Sequence, residues 1–331
     1  MEMKLPKREK IIINKIVKSI KEKENFLITT HYTIDGDAIG SEIAVYLLLK
    51  KLNKKVYIIN QDKIPKMYEF LPETKNVKIY NENMILKKPE IAFVLDCGNF
   101  ERIGKVKKFF APDTIIINID HHFSNVEYGN INWVSSLYSA CGEMFYFLIK
   151  KFGEIDKKQA TCIYTAILTD TGSFRYHFGE YTFMIIHELL KTGIDPSEIS
   201  QNIYFEKPIS SIKLLSLCLN TLKYDKKFGI IWVKITHDMY KKTNTQEEDT
   251  EGFIDFIRSI KEGKIVFLLK ERSDGIKVSF RSRQNYNVDK LARYFGGGGH
   301  REASGCFLEN TNIKKAEKII IDTIKKRWME L

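Results

Sequence analysis

Residues 91–97, IAFVLDC, and 114–122, TIIINIDHH, decide how the chain is read. Each is an apolar run of strand length, rich in β-branched residues, that carries acidic or imidazole side chains at its end. Runs with no polar alternation suit central strands of a parallel sheet buried on both faces. Upstream, NFLITTH (25–31) is a third such run, closed by His31 and followed by the turn Tyr32-Thr33-Ile34-Asp35-Gly36-Asp37. KVYIIN (55–60) reads as a further strand, while AIGSEIAVYLLLKKL (38–52), CGEMFYFLIKKFG (141–153) and KKQATCIYTAILTD (157–170) read as helices. Strands interleaved with helices predict an α/β domain with a doubly wound, mostly parallel sheet.

The order changes near residue 190. KTGIDPSEIS brings a glycine and a proline, and residues 203–223 read as a connecting stretch followed by a helix. Beyond it come strands at 229–236, 264–271, 275–283 and 303–309, and helices at 251–260, 287–295 and the lysine-rich C-terminus. The expected organisation is a first domain at 1–190, a connector at 191–223 and a smaller mixed α/β domain at 224–331. A length of 331 residues fits two domains, each able to bury a core.

Composition narrows the class. Hydrophobic residues make up 44% and charged residues 29%, the balance of a globular chain rather than a disordered one. The longest apolar run, Ile43–Leu49, is far short of the roughly 20 residues a membrane helix needs. The N-terminal stretch mixes acids and bases around a helical pattern and lacks a secretory signal's apolar core, so a cytoplasmic location is expected. The five cysteines are scattered with no CxxC pair, which supports neither a disulfide framework nor a zinc ribbon. The net charge of +11 is spread as lysine pairs along the chain; it permits a polyanionic partner without requiring one.

The carboxylates and histidines carry the chemical information. In an open parallel sheet the carboxyl ends of the strands line one crevice, the usual ligand site. Three strand ends deliver His31, Asp35, Asp37, Asp96, Asp120, His121 and His122 to that rim. Singly, each has a plainer explanation as a turn former, a helix cap or a surface histidine. Together, so many carboxylates repel one another unless something positive sits among them. Two divalent cations would supply it, and a donor set of carboxylate and imidazole without thiolate favours Mn²⁺ or Mg²⁺. Such an ion pair clamps a phosphoryl group and lowers the pKa of a bound water.

A second cluster lies in the smaller domain. Phe280-Arg281-Ser282-Arg283 closes a strand, and Gly296–Gly299 leads into His300-Arg301. The glycine run reads equally as a helix stop and as a loop whose N–H groups converge on an anion; His300 and Arg281 favour phosphate binding.

These segments resemble a known family. HYTIDGDAIGS (31–41), VLDCGNFERIG (94–104), IDHHFSN (119–125) and AILTDTGSF (166–174) stand in the order of the four metal-binding motifs of the DHH phosphoesterase superfamily. KVSFRSR (277–283) and FGGGGHREASG (295–305) look like its C-terminal DHHA1 domain. The GGGGH form and the lack of extra domains are most similar to the NrnA-like branch of nanoRNases and pAp phosphatases. The family's usual proline before Asp-Gly-Asp is Ile34 here, and its Ala-Ala-Gly is Ala303-Ser304-Gly305; neither change removes a ligand.

The resemblance implies one metal held by His31, Asp35 and Asp96, and a second by Asp37, Asp96, His121 and Asp170, with Asp96 bridging. It implies that His122 meets the scissile phosphate or the attacking water, and that Asp120 orients the imidazoles. Asp170 enters only this way, since the residue pattern alone places it at a helix end without a direction. Arg281, Arg283, Gly297, Gly298, Gly299 and His300 would hold substrate phosphates, in a cleft expected to open and close about residues 190–205. The implied activity is metal-dependent hydrolysis of short oligoribonucleotides and of pAp, with Mn²⁺ preferred to Mg²⁺ and a homodimer as the common assembly of the branch. Rival readings are a RecJ-like single-strand DNA exonuclease, a cyclic- or linear-dinucleotide phosphodiesterase, a pyrophosphatase and a nucleotide sensor that does not cleave its ligand.

Overall fold

The computed structural model describes residues 3–175, 178–283 and 286–331, and of His300 the backbone alone. The chain divides into two units, 1–206 and 207–331. The first holds helices α1 (Lys7–Glu22), α2 (Gly36–Lys51), α3 (Cys141–Ile149), α4 (Lys157–Asp170), α5 (Thr182–Leu190) and α6 (Pro196–Tyr204). Its strands are β1 (Asn25–Thr30), β2 (Lys55–Asn60), β3 (Val77–Ile79), β4 (Ile91–Leu95), β5 (Ile115–Asp120) and β6 (Ile131–Val134). They form one parallel sheet in the order β3-β2-β1-β4-β5-β6, as the doubly wound reading expects.

The order of the strands reverses between β1 and β4, the place where open α/β sheets leave a crevice. Register then aligns the chemistry. Thr30 pairs with Leu95 and Leu95 with Ile119, so the next residues, His31, Asp96 and Asp120, form a row across three adjoining strands. Strands lie about 4.8 Å apart, so a row of this kind brings side chains within reach of shared ligands.

Helices α2, α3 and α4 cover one face over a core that includes Phe26, Phe93, Ile117 and Ile119. The opposite face is covered at Leu27, Ile59 and Val94 by two short 3₁₀ stretches within Phe100–Phe109, broken at Gly104, and not by a further α-helix. The α-helices meet backbone to backbone: a Cβ at Gly40 would stand 2.5 Å from the Cys162 carbonyl oxygen, and one at Gly36 2.3 Å from the Thr169 hydroxyl. That contact sets the start of α2, with Asp35 and Asp37, beside the end of α4, with Asp170.

The second unit holds α7 (Ile209–Leu219), α8 (His237–Thr243), α9 (Phe253–Arg258), α10 (Val288–Tyr294) and α11 (Ile313–Lys326). Strands β7 (Lys223–Asp225), β8 (Ile230–Ile235), β9 (Ile265–Arg272), β10 (Gly275–Ser282), β11 (Gly298–His300) and β12 (Ala303–Glu309) make a mixed sheet in the order β11-β12-β10-β9-β8-β7, with only β8 and β9 parallel. Trp232 stacks on Phe267 at 5.7 Å within its core. The stretch 191–223 is divided between the units, α6 falling in the first and α7 in the second. Among the described residues no helix is long and apolar enough to cross a membrane.

Two outcomes follow from the packing of α2. Gly40→Ala lowers stability by about 1–3 kcal/mol, because the carbonyl it would strike belongs to a packed helix backbone; thermal melts measure this. Glu42 is fully buried, with one oxygen accepting from Asn60 Nδ2 at 2.7 Å, and burial pushes its pKa up to about 8 against that opposing hydrogen bond. The folded chain keeps this proton while the unfolded chain loses it near 4.5, so stability present below that pH is lost as pH rises towards 8. Glu42→Gln is therefore stabilising by on the order of 2 kcal/mol at pH 7.5 and close to neutral at pH 4.5, read by urea unfolding at both values.

Candidate metal centre

The centre is built outward from Asp96. It follows β4 with φ +48, a left-handed backbone unusual for a side-chain-bearing residue, and its N–H is held by the Ile119 carbonyl at 2.9 Å. Its side chain is 2% exposed and divides its two oxygens. Oδ2 lies 3.5 Å from His31 Nε2, which is itself 3.7 Å from Asp35 Oδ2. Oδ1 lies 3.6 Å from His121 Nε2, which stands 3.7 Å from Asp37 Oδ2 and 3.4 Å from Asp170 Oδ2. These separations exceed good hydrogen bonds. They are close to the spacing of two donors sharing an ion, since ligands about 2.1 Å from one metal sit about 3.0–3.5 Å apart.

The surroundings aim each donor. His31 Nδ1 is 2.8 Å from the Tyr32 carbonyl, so that nitrogen carries the proton and Nε2 offers its lone pair. His121 Nδ1 faces the Tyr138 carbonyl at 3.4 Å with the same consequence. Asp35 caps α2 by accepting from Ala38 N–H at 3.0 Å, leaving its other oxygen towards His31. The plain helix-cap role and the ligand role thus coexist in one side chain. Asp37 accepts the Cys141 and Gly142 N–H groups at the start of α3, at 2.7 and 3.0 Å, and Ser41 Oγ at 3.2 Å.

His122 and Asp120 form a separate pair. His122 Nδ1 donates to Asp120 Oδ1 at 2.7 Å and lies 3.3 Å from Asp96 Oδ1. Asn125 Nδ2 donates to the other Asp120 oxygen at 2.5 Å. Asp120 therefore orients His122, whereas His121 is held by a main-chain carbonyl.

Charge is badly balanced in this cluster without a cation. Burial, then the Asp96 charge, pushes Asp37 and Asp170 well above the usual carboxylate range. Asp170 also ends α4, where the helix dipole disfavours an anion. Burial alone would raise Asp96, but the His122 and His31 imidazoles hold it well below that range. His122 is driven up by Asp120 and Asp96 despite its burial, and Asp120 down by His122 despite its own. Cys141, with Sγ 3.8 Å from Asp96 Oδ1, is pushed up by burial and by Asp37, so it stays a thiol. Groups of three or more donors, His31-Asp35-Asp96 and Asp37-His121-Asp170 among them, have ligand atoms within 4.8 Å of one another. The donors present fit hard divalent cations on either side of Asp96.

The sequence-predicted residues of the second unit fare differently. Arg281 on β10 donates through Nη1 to the Phe280 carbonyl at 3.0 Å and has Nε 3.9 Å from Asp255. Arg283 is occupied elsewhere: its guanidinium caps the end of α9 through the carbonyls of Arg258, Ser259 and Lys261. The glycine run opens as a helix stop, with Gly296 N–H on the Arg293 carbonyl and Gly297 N–H on Ala292, and continues as β11. The Gly299 N–H is taken by Asp289 at 3.0 Å. The expected cradle of converging N–H groups is therefore largely spent, and Gly298 leaves mainly open space. The side chain of His300 lies outside the described residues.

Several groups near the metal centre are invisible to a search for acidic and imidazole residues. The Cys141 and Gly142 amides and the Tyr138 carbonyl are main-chain partners; their one sequence signal is a helix pattern starting at Cys141. Arg102 lies with its guanidinium 5.4 Å from the Tyr32 ring centre, and its carbonyl accepts from Tyr32 N–H at 2.8 Å, setting a cation over the ring of the residue that follows His31.

A parallel sheet with two acidic-imidazole triads at its switch point, joined to a mixed sheet with a glycine-rich edge, defines the DHH class. Residues 25–167 match the model of the DHH family N-terminal domain and residues 230–326 that of the DHHA1 domain. The chain belongs to the DHH family. It is 30% identical over 302 residues to the bifunctional oligoribonuclease and PAP phosphatase NrnA of Thermus thermophilus, covering 90% of this chain and 89% of that protein. An exopolyphosphatase-related protein from Bacteroides fragilis superposes with a TM-score of 0.89 at 28% identity, over 96% of each chain. RecJ from Thermus thermophilus, solved in complex with Mn²⁺, shares the fold at a TM-score of 0.56 and 13% identity, over 98% of this chain and 55% of that one.

Removing charge from the shared carboxylate tests the centre. Wild-type protein titrated with Mn²⁺ in a calorimeter is expected to take up two equivalents, and Asp96→Asn to weaken both by at least about 100-fold, since losing a direct ligand would exceed the 10–100-fold cost of losing its supports. Unchanged binding of either ion would remove Asp96 from the bridging position.

Proposed function

We propose that the protein is a metal-dependent phosphohydrolase that degrades short oligoribonucleotides to nucleoside monophosphates and removes the 3′-phosphate of pAp. The observation that carries this reading is the divided carboxylate of Asp96, one oxygen towards each triad. Family membership and the name of the Thermus relative support it.

His31, Asp35 and Asp96 would hold one cation, and Asp37, Asp96, His121 and Asp170 the other; Mn²⁺ is the preferred ion and Mg²⁺ the alternative. When bound, the pair neutralises phosphate charge and makes water a nucleophile near neutral pH. The chain's own residues fix the rest. The amides at the start of α3 lock Asp37, and the Tyr32 and Tyr138 carbonyls lock the two imidazole tautomers, so the donors need no rearrangement when ions and substrate arrive. His122, held through Nδ1 by Asp120, turns its other ring nitrogen to the phosphate or the attacking water. Arg281 is the cation assigned to a remaining substrate phosphate, so Arg281→Ala raises KM more than it lowers kcat.

The test is product analysis of 5′-labelled RNA of two to twenty nucleotides with Mn²⁺, alongside phosphate release from pAp. Di- to pentanucleotides go to monophosphates fastest, and pAp loses its 3′-phosphate. Metal-loaded protein that leaves both intact contradicts the proposal, and preference for long single-stranded DNA points instead to RecJ-like chemistry.

A further inference from the structure

The stretch from Asp170 into the first turn of α5 carries an aromatic cluster that the metal chemistry does not use. Phe178 and Phe183 are 45% and 54% exposed. Phe178 meets Phe183 edge-on at 5.1 Å, and Phe183 meets the partly buried Phe174 at 5.6 Å. Burying such rings would be favourable, so an exposed pair backed by a third ring is a surface that awaits a partner.

Both ends of this segment are tied to the metal centre. At one end Asp170 is a donor, and three successive residues, Gly172, Ser173 and Phe174, take φ of +55, +59 and +62. Thr171 Oγ1 accepts Phe174 N–H at 3.1 Å and the Leu168 carbonyl accepts Ser173 N–H at 2.8 Å, fixing the turn that raises Phe174. At the other end Thr182 Oγ1 receives the Gly179 N–H at 2.9 Å and bonds Glu143 at 2.5 Å and Ser139 at 3.3 Å. Glu143 lies in the first turn of α3 and Ser139 just before it, and the Cys141 and Gly142 amides of that helix grip Asp37. Gly179 packs so closely there that a Cβ would stand 2.4 Å from the Leu137 carbonyl oxygen. The rings are thus set on a frame that shares its anchors with the ligands Asp37 and Asp170.

We infer that Phe178 and Phe183, backed by Phe174, form a stacking platform for a nucleobase of the substrate bound at the metal centre. The inference rests on the oligonucleotide reading and deepens it. Every base has a π-face, so stacking recognises single-stranded nucleotides without selecting sequence. The platform supplies affinity for the base, and the metal centre handles the phosphate. Phe178 and Phe183 are specificity residues that separate nucleotide substrates from phosphodiesters lacking a base.

The experiment uses the full chain with Mn²⁺ and a trinucleotide carrying 2-aminopurine, whose fluorescence is quenched by stacking, beside a stable abasic trimer with the same phosphates. Wild type quenches the probe on binding. Phe183→Ala and the volume-keeping Phe183→Leu weaken its binding ~5- to 100-fold, the range alanine substitution gives for one stacked base, and relieve the quench. Phe183→Tyr behaves as wild type, and the abasic trimer competes equally against all four proteins. In turnover the same loss appears in KM with kcat nearly unchanged. Wild-type affinity and quench in both Phe183→Ala and Phe183→Leu, or an equal loss for the abasic trimer, overturns the platform. A wild type that binds and quenches the probe but never cleaves it would instead overturn the hydrolase reading and leave the platform standing.

Discussion

Like charges gathered in a dry crevice constrain the rest of this structure. Asp37, Asp96 and Asp120 are almost wholly inaccessible, and Asp170 is only partly open. Such groups repel unless a cation or a proton intervenes. The fold does not avoid the problem; it concentrates it. Register places His31, Asp96 and Asp120 in one row, and the close approach of α2 to α4 adds Asp37 and Asp170. The strain at Asp96 fits the same view, since a left-handed residue at a strand end persists only when its surroundings hold it there.

The two units solve different packing problems. In the first, parallel strands with apolar residues on both faces leave only strand ends for chemistry, so the polar groups gather at one edge. In the second, the mixed sheet lets polar and apolar residues alternate along β10, as its alternating burial shows. Arg281 and Arg283 lie two apart, yet one sits beside Asp255 and the other caps a helix end. Sequence proximity says little about shared function there.

Much of the fold is legible in the chain because strand runs such as IAFVLDC and TIIINID have no competing interpretation. The ends of these runs point one way in a parallel sheet, which is why the residue pattern alone groups His31, Asp96 and the Asp120–His122 triplet. Short strands escape: β3 and β6 are three and four residues long, too brief for periodicity to speak, and the pattern also leaves α5 and α6 unread. Asp170 escapes for a different reason. A helix end has no intrinsic direction in sequence, and its place depends on a helix crossing set by glycines far away in the chain. Main-chain partners such as the Cys141 amide carry no residue signature at all. The glycine run reads equally as a helix stop and an anion loop in sequence, and its backbone bonds form a helix stop and a strand.

Every role assigned at this centre requires Asp96 to stand between two cations. Anomalous diffraction at the manganese edge from crystals grown with Mn²⁺ addresses it most directly. Two peaks are expected, one beside His31 and Asp35 and one beside His121, Asp37 and Asp170, each within ligand distance of a different Asp96 oxygen. A single peak, or peaks that leave Asp96 uncoordinated, would contradict it.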